Sequence, residues 1–525
     1  MSRAILALVA VAAAATLARG DQPPAPSRVA APRAAATVGA GVLPRFALFG
    51  WVSPPESFAS AARYAELADA GFSVVLPAWE DRGAVAPNLD RLAWTRDRGA
   101  RCLLLDLAFD RVDPAVPASL RWADSLVARY AADPAFLGWY LGDEPARDRW
   151  PQLRGWFDLM RARDPAHPAW NNLLGRMAFD TRAEYEQYLR DYVRDVAPSA
   201  LCSDHYDFRT DGDRRQLVEC VATLAAVARE HGLPFWGIVQ LVRHRGYRDV
   251  DEGMLRWQMG HWLAYGARGI GTFTYWTPAP DSAWEWHDAM LARDGTRTPL
   301  YDVVRRVNAH AAPAGLAIAG MTWVSAEMAG SVAPGGTPFA PDDAVAAVEG
   351  RAMLGTFVDS LARTHVLVVN SDSLAARTVT LALAGAGRRA WQLGDDGTWT
   401  PAAVGADGRC ALALGAGDFA LLRLSDAGDV IAAGNGRARF VAGPNPARGR
   451  VRFTLASLAR GARLEVLDLS GRRVWARDWT AGGSGMAEWH GERDGGGTVP
   501  PGVYLARLED GFGVVARRVT WLGSR

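Results

Sequence analysis

The stretch FLGWYLGDEP, residues 136–145, runs through apolar and aromatic residues and then ends on Asp143, Glu144 and Pro145. Adjacent carboxyls at the end of a buried run suit proton transfer, because an apolar wall and a neighbouring negative charge both keep a carboxylic acid protonated near neutral pH. Trp139 and Tyr140 can supply the wall and Asp143 the charge. The competing account is a helix start, with Asp143 as N-cap and Glu144 and Pro145 in the first turn. Other chemically useful residues also close apolar runs: Trp51 and Ser53; Trp79, Glu80 and Asp81; Asp106 and Asp110; Asn171 and Asn172; Asp204, His205, Tyr206 and Asp207; Gln240, Arg243 and His244; Tyr275 and Trp276, with Trp284 and Trp286 beyond.

Carboxylates, an amide pair and many indoles gathered on one rim are what a sugar-cleaving site requires: a proton donor, a charge stabiliser, groups that read hydroxyls, and stacking surfaces. The spacing offers no metal trio, no glycine-rich phosphate cradle after the first run and no GxSxG elbow, and the expected chemistry calls for no cofactor. The candidate catalytic residues are Glu144, Asp204 and Asp143. The candidate substrate-binding residues are Trp51, Trp79, Glu80, Asn171, Asn172, His205, Tyr206, Gln240, Tyr275 and Trp276. Trp284 and Trp286 are further stacking candidates, Arg243, His244 and Arg245 read as a solvated loop cluster, and Asp106 as a buried polar contact. Asn171 and Asn172 could instead cap the following helix, and His205 could be structural.

The elements that must position these residues repeat from about residue 44. Eight apolar runs, RFALFGWVSP, FSVVLPAWE, RCLLLDLAF, FLGWYLGDEP, PAWNNLL, ALCSDHYDF, PFWGIVQLV and GIGTFTYWTP, alternate with amphipathic segments such as RAEYEQYLRDYVRDVAP and RQLVECVATLAAVAREHG. Apolar residues recur every three or four positions in the latter. Eight such units predict a closed parallel (β/α)8 barrel over 44–318, with the active face at the strand C-termini. From 319 to 430 short alternating runs with Gly and Asp turns predict an antiparallel β-sandwich, and a third segment covers 438–525.

At 525 residues the chain expects two or three domains. A net charge of +1 gives no global field for nucleic acid, which is not an expected partner. Residues 1–20, MSRAILALVAVAAAATLARG, read as a signal peptide and 21–43 as a linker, so the chain is expected to be secreted or at the cell surface with no transmembrane segment when mature. The 21 tryptophans suit sugar stacking or a large core. The cysteines read as buried free thiols, with Cys202 and Cys220 the pair to test.

Two resemblances add to this. NPARG, LEVLDLSGRRV and VPPGVYLARL in residues 440–525 resemble the small Ig-like module shared by type IX secretion sorting domains and flagellar hook-capping proteins. That resemblance implies export and contact with secretion machinery, without a catalytic role. GWYLGDEP and LAYGARGIGTFTYWTP resemble the strand-four and strand-eight regions of galactosidase-like (β/α)8 glycoside hydrolases, over about 44–310. It implies an oligo- or polysaccharide substrate and Glu144 as general acid/base, with Asp143 at a position often filled by Asn. The family's nucleophile is a glutamate ending strand seven, where this chain has Gln240. Asp204 as nucleophile or base, the substrate's own acetamide oriented by Asp143, or a binding-only site are the three ways to accommodate that departure.

Overall fold

A computed structural model describes residues 43–78, 83–107, 109, 112–359, 361, 363–385, 387–425, 440–443, 447–458, 462–468, 471–479, 483–510 and 513–523. Trp79, Glu80, Asp81, Asp110 and the segment read as a signal peptide lie outside the described residues.

Eight strands alternate with helices: β1 (Ala47–Trp51), α1 (Ala61–Asp69), β2 (Val74–Val75), α2 (Val85–Arg96), β3 (Arg101–Leu104), α3 (Pro117–Tyr130), β4 (Phe136–Asp143), α4 (Trp150–Arg163), β5 (Ala169–Asn172), α5 (Arg182–Val196), β6 (Leu201–His205), α6 (Leu217–Glu230), β7 (Phe235–Gln240), α7 (Glu252–Ala264), β8 (Gly269–Phe273) and α8 (Pro299–Ile318). The strands pair in parallel in the order β5-β4-β3-β2-β1-β8-β7-β6. A bridge between Leu173 and Ser203, with the Leu173 N–H donating to Cys202 O at 2.9 Å, brings the two edges together. This is a (β/α)8 barrel.

Alternation along each strand sorts the apolar residues into two layers. Phe49, Leu103, Trp170, Cys202, Trp236 and Ile238 fill the barrel interior, whereas Leu48, Val75, Leu104 and Val239 pack outward under the helices. Phe49 meets Trp170 at 6.0 Å and Trp236 at 5.5 Å between ring centroids. Rings of that size need an empty wall opposite, and β8 provides it: a Cβ on Gly271 would lie 2.2 Å from Phe49, and one on Gly269 2.4 Å from Trp236. Gly271→Ala is therefore expected to destabilise the fold by about 1–3 kcal/mol, the cost of overpacking a filled core, checked by denaturant unfolding. Much of the tryptophan content is core: Trp139, Trp156, Trp170, Trp236, Trp262, Trp489 and Trp521 are almost fully buried.

Nine strands between Thr322 and Ser425 form six-stranded and three-stranded antiparallel sheets, a β-sandwich. Its Met353, Phe357, Leu367, Val369, Phe419 and Leu421 join the apolar layer outside the barrel. Arg256 on α7 donates to Asp418 at 2.9 Å, and His310 on α8 stands 3.3 Å from the same carboxylate, so the sandwich is pinned to two barrel helices. Between Phe440 and Trp521, three-stranded and four-stranded antiparallel sheets enclose a separate core around Phe453, Trp489 and Trp521. Cys102, Cys202, Cys220 and Cys410 are all buried free thiols. No helix among the described residues is long and apolar enough to cross a membrane.

Candidate active site

The strand-four ending is distorted, and the distortion sets the site. Tyr140 pairs with Trp170 and Asp143 with Asn172, so β4 spends one residue more than β5 over the same interval. Such a bulge re-aims side chains that would otherwise alternate across the sheet. Gly142 has φ 126° and Glu144 has φ 40°, both in the left-handed region, and the Glu144 N–H donates to Asn172 O at 3.0 Å. A non-glycine residue held there costs about 1–3 kcal/mol and persists only where its surroundings enforce it. With alternation broken, Asp143 and Glu144 both face Asp204 from β6. They do not cap a helix: a 3-10 turn at Arg147–Arg149 intervenes, and α4 begins at Trp150 with Arg149 as its N-cap residue. Although a Cβ on Gly142 would meet no atom within 4 Å, Gly142→Ala would be strained at that φ. It is expected to cost about 1–3 kcal/mol in thermal unfolding and to misplace both carboxyls.

Glu144 and Asp204 stand close enough for each carboxyl to act on the other's charge. Burial and then the Asp204 and Asp143 charges push the Glu144 carboxyl well above the usual range. Burial raises Asp204 too, but the neighbouring Tyr206 hydroxyl, and less so the Asn172 amide, favour its ionised form. The resting proton therefore belongs on Glu144 and the charge on Asp204, in a trio that titrates as one system. Asp143 is pushed up to about 7, first by burial and then by Asp204, against the pull of Asn172, whose Nδ2 donates to Asp143 Oδ1 at 3.1 Å. Water reaches Asp143 from the open mouth, which tempers that push. The Asp204 Oδ1 is buried and has no hydrogen-bond partner.

An aromatic wall leads away from Asp204. Tyr206 lies 5.4 Å from Phe273, 5.7 Å from Tyr247 and 6.1 Å from His244, ring centre to ring centre. His244 meets Trp286 at 4.8 Å, and Trp286 stacks on Trp284 at 5.7 Å and 18°. His244 is not in a solvated cluster: it is buried, and burial lowers its imidazole to about 4, so it is a neutral ring. Phe273 and Tyr247 escaped the sequence reading. Phe273 is the last residue of β8 and obeys the strand-end rule, whereas Tyr247, in the β7–α7 loop, carries no such signal.

Several candidates stand elsewhere. Gln240 is fully buried, accepts from the Phe208 N–H at 2.9 Å and donates to Phe208 O at 2.8 Å, so its amide ties a loop and does not face the mouth. Tyr275 packs outward against Phe72 in the helical layer, and Trp276 lies against Phe58 and the Arg63 guanidinium. Asn171 accepts from Tyr192 and is buried, and His205 is sealed with Nε2 3.1 Å from Asp207. Neither asparagine caps α5, whose cap is Thr181. Trp51 is 4% exposed, edge-on to Tyr140, and has no free face for a sugar. Asp106 accepts from Trp122 Nε1 at 3.2 Å. Among the described residues no group of three or more His, Cys, Asp or Glu side chains is placed to hold a metal ion.

No protein-family model and no curated protein matches the sequence. Solved structures do. A glycoside hydrolase family 5 structure from Bacteroides vulgatus is 12% identical, with a TM-score of 0.50 over 75% of this chain and 93% of that one. A β-galactosidase from the haloarchaeon Halorubrum lacusprofundi is 17% identical, with a TM-score of 0.38 over 51% of this chain and 58% of that one. Another, from Marinomonas ef1, is 11% identical, with a TM-score of 0.40 over 53% and 62%. The chain thus spans less than two thirds of the length of either β-galactosidase. The likeness to the family 5 structure is one of fold, a (β/α)8 barrel.

Proposed function

We propose that the protein is a glycoside hydrolase in which Glu144 is the general acid/base and Asp204 the charged partner. The observation that carries this reading is the gathering of Glu144, Asp143 and Asp204 at the strand ends, in surroundings that separate their proton affinities. Glu144, half-exposed and protonated, gives its proton to the glycosidic oxygen as the bond breaks. Asp204, held ionised by Tyr206 and Asn172, stabilises the positive charge that develops on the sugar, and Glu144 then takes a proton from the attacking water. Asn172 and Tyr206 position Asp204 and Asp143.

Glu144 serves as acid to the leaving group and then as base to the attacking water, so the two depart and arrive on one face of the sugar. The reading therefore predicts that products keep the anomeric configuration of the substrate. An N-acetylhexosaminide would reach the same outcome by attack of its own acetamide, oriented by Asp143. Proton NMR of the first-formed anomer checks this, and an inverted product would sink the dyad. A second reading, a carbohydrate-binding protein without turnover, draws on Gln240, since an amide ending strand seven cannot form a glycosyl ester.

Export is part of the proposal, resting on residues 1–20 and on the sorting-module resemblance of 440–525. N-terminal sequencing of material recovered outside the cell should begin at Asp21; an uncleaved chain retained inside would refute it.

A further inference from the structure

We infer that the β8–α8 loop carries a distal sugar platform, with Trp284 stacking on a ring of an extended glycan whose other end lies at the carboxyl trio. The inference rests on the carbohydrate reading of that trio. Trp284 is 41% exposed, and one face already lies on Trp286, so its exposed area is what remains for a ligand. It is the outer end of a continuous aromatic path that starts at the Tyr206 ring beside Asp204 and passes through His244 and Trp286. An exposed indole offers an apolar face to the C–H side of a pyranose ring.

The loop is built for that presentation. Glu285, between the two indoles, has φ 50°, a costly conformation for a residue with a Cβ, and it lets residues two apart lie side by side. The backbone around it is tied down: the Arg245 N–H donates to Trp284 O at 2.7 Å, the Trp284 N–H to Asp281 O at 3.2 Å, and Arg293 Nη2 to Trp286 O at 3.1 Å. A stacking ring on a fixed loop loses little freedom when a sugar arrives. A platform set apart from the cleaved bond favours chains of several sugars over small glycosides.

Affinity electrophoresis of the full mature protein through gels containing galactan, xylan, arabinan, mannan or glucan tests this without turnover. Wild type, Trp284→Ala, Trp284→Phe, Glu144→Gln and Trp122→Ala, the last an exposed tryptophan on α3 at 44% exposure, would be run together. At least one polysaccharide should retard the wild type, Glu144→Gln and Trp122→Ala alike. Trp284→Ala should weaken that interaction about tenfold or more, the scale of losing one buried aromatic face, with Trp284→Phe between them and all melting temperatures close. Equal retardation of Trp284→Ala, an equal loss in Trp122→Ala, or no retardation of the wild type by any of the polymers overturns the inference. Retardation that depends on Trp284 in a protein that cleaves neither these polymers nor any aryl glycoside, N-acetylhexosaminides included, upholds the platform and refutes the hydrolase.

Discussion

Glu144→Gln is expected to lower kcat/KM by about 100- to 10,000-fold on substrates with a poor leaving group, the range that a positioned general acid contributes. Gln fills the same space and can donate a hydrogen bond, but it cannot give up a proton. The loss should therefore shrink on an aryl glycoside whose phenolate leaves without protonation. A uniform loss on both substrates would point to misfolding or to a binding role. In the wild type the acid must be protonated to act, so activity should fall as pH rises through the titration of Glu144, which burial and the Asp204 and Asp143 charges hold well above the usual carboxylate range.

Asp204→Asn should move stability and activity in opposite directions. The folded-state affinity of Asp204 for its proton is raised by burial, while the unfolded chain titrates near 3.9. A carboxyl raised in this way contributes stability that is fully present below the unfolded value and is lost as pH rises through the folded one. The wild type is thus penalised at neutral and alkaline pH for holding charge at the mouth. Asparagine removes that charge, so the variant should melt above the wild type at pH 8, with the gain fading toward pH 4. Activity should fall by roughly 100- to 1,000-fold, as when one preorganised stabilising group is removed. Thermal melts at both pH values with parallel rate measurements check it; a variant less stable than the wild type at pH 8 would mean that the charge is structurally compensated. Such relief of strain at a functional site is the usual trade of stability for activity.

The barrel could be read from the chain because each strand is an apolar run of the right length, and the strand-end rule then gathers Asp143, Glu144, Asn172, Asp204 and Tyr206 from β4, β5 and β6. The rule fails where a chain turns as its strand ends. Gln240 closes β7 as Asp204 nearly closes β6, yet its amide turns to the Phe208 backbone, a choice set by a loop 32 residues away in sequence. Tyr275 and Trp276 lie past the end of β8 and run outward over the helices, so aromatic type alone misplaced them. The wall that does reach the mouth uses Phe273 and Tyr247, one a strand end and the other a loop residue fixed by tertiary contacts. The bulge at Tyr140–Asp143 was also hidden, although Gly142 beside a carboxyl pair is the kind of residue that permits it. The tryptophan count misleads in the same way, because the barrel interior consumes indoles as readily as a sugar site would.

The central claim is that Glu144 drives cleavage of glycosidic bonds, and the most direct test is sugar release from polysaccharides and aryl glycosides, N-acetylhexosaminides included, by the wild type and Glu144→Gln side by side. The account predicts release by the wild type from at least one substrate and its loss, by two orders of magnitude or more, in a variant that folds and melts like the wild type. Release of equal size by both proteins, or none by either while a glycan is bound, would contradict it.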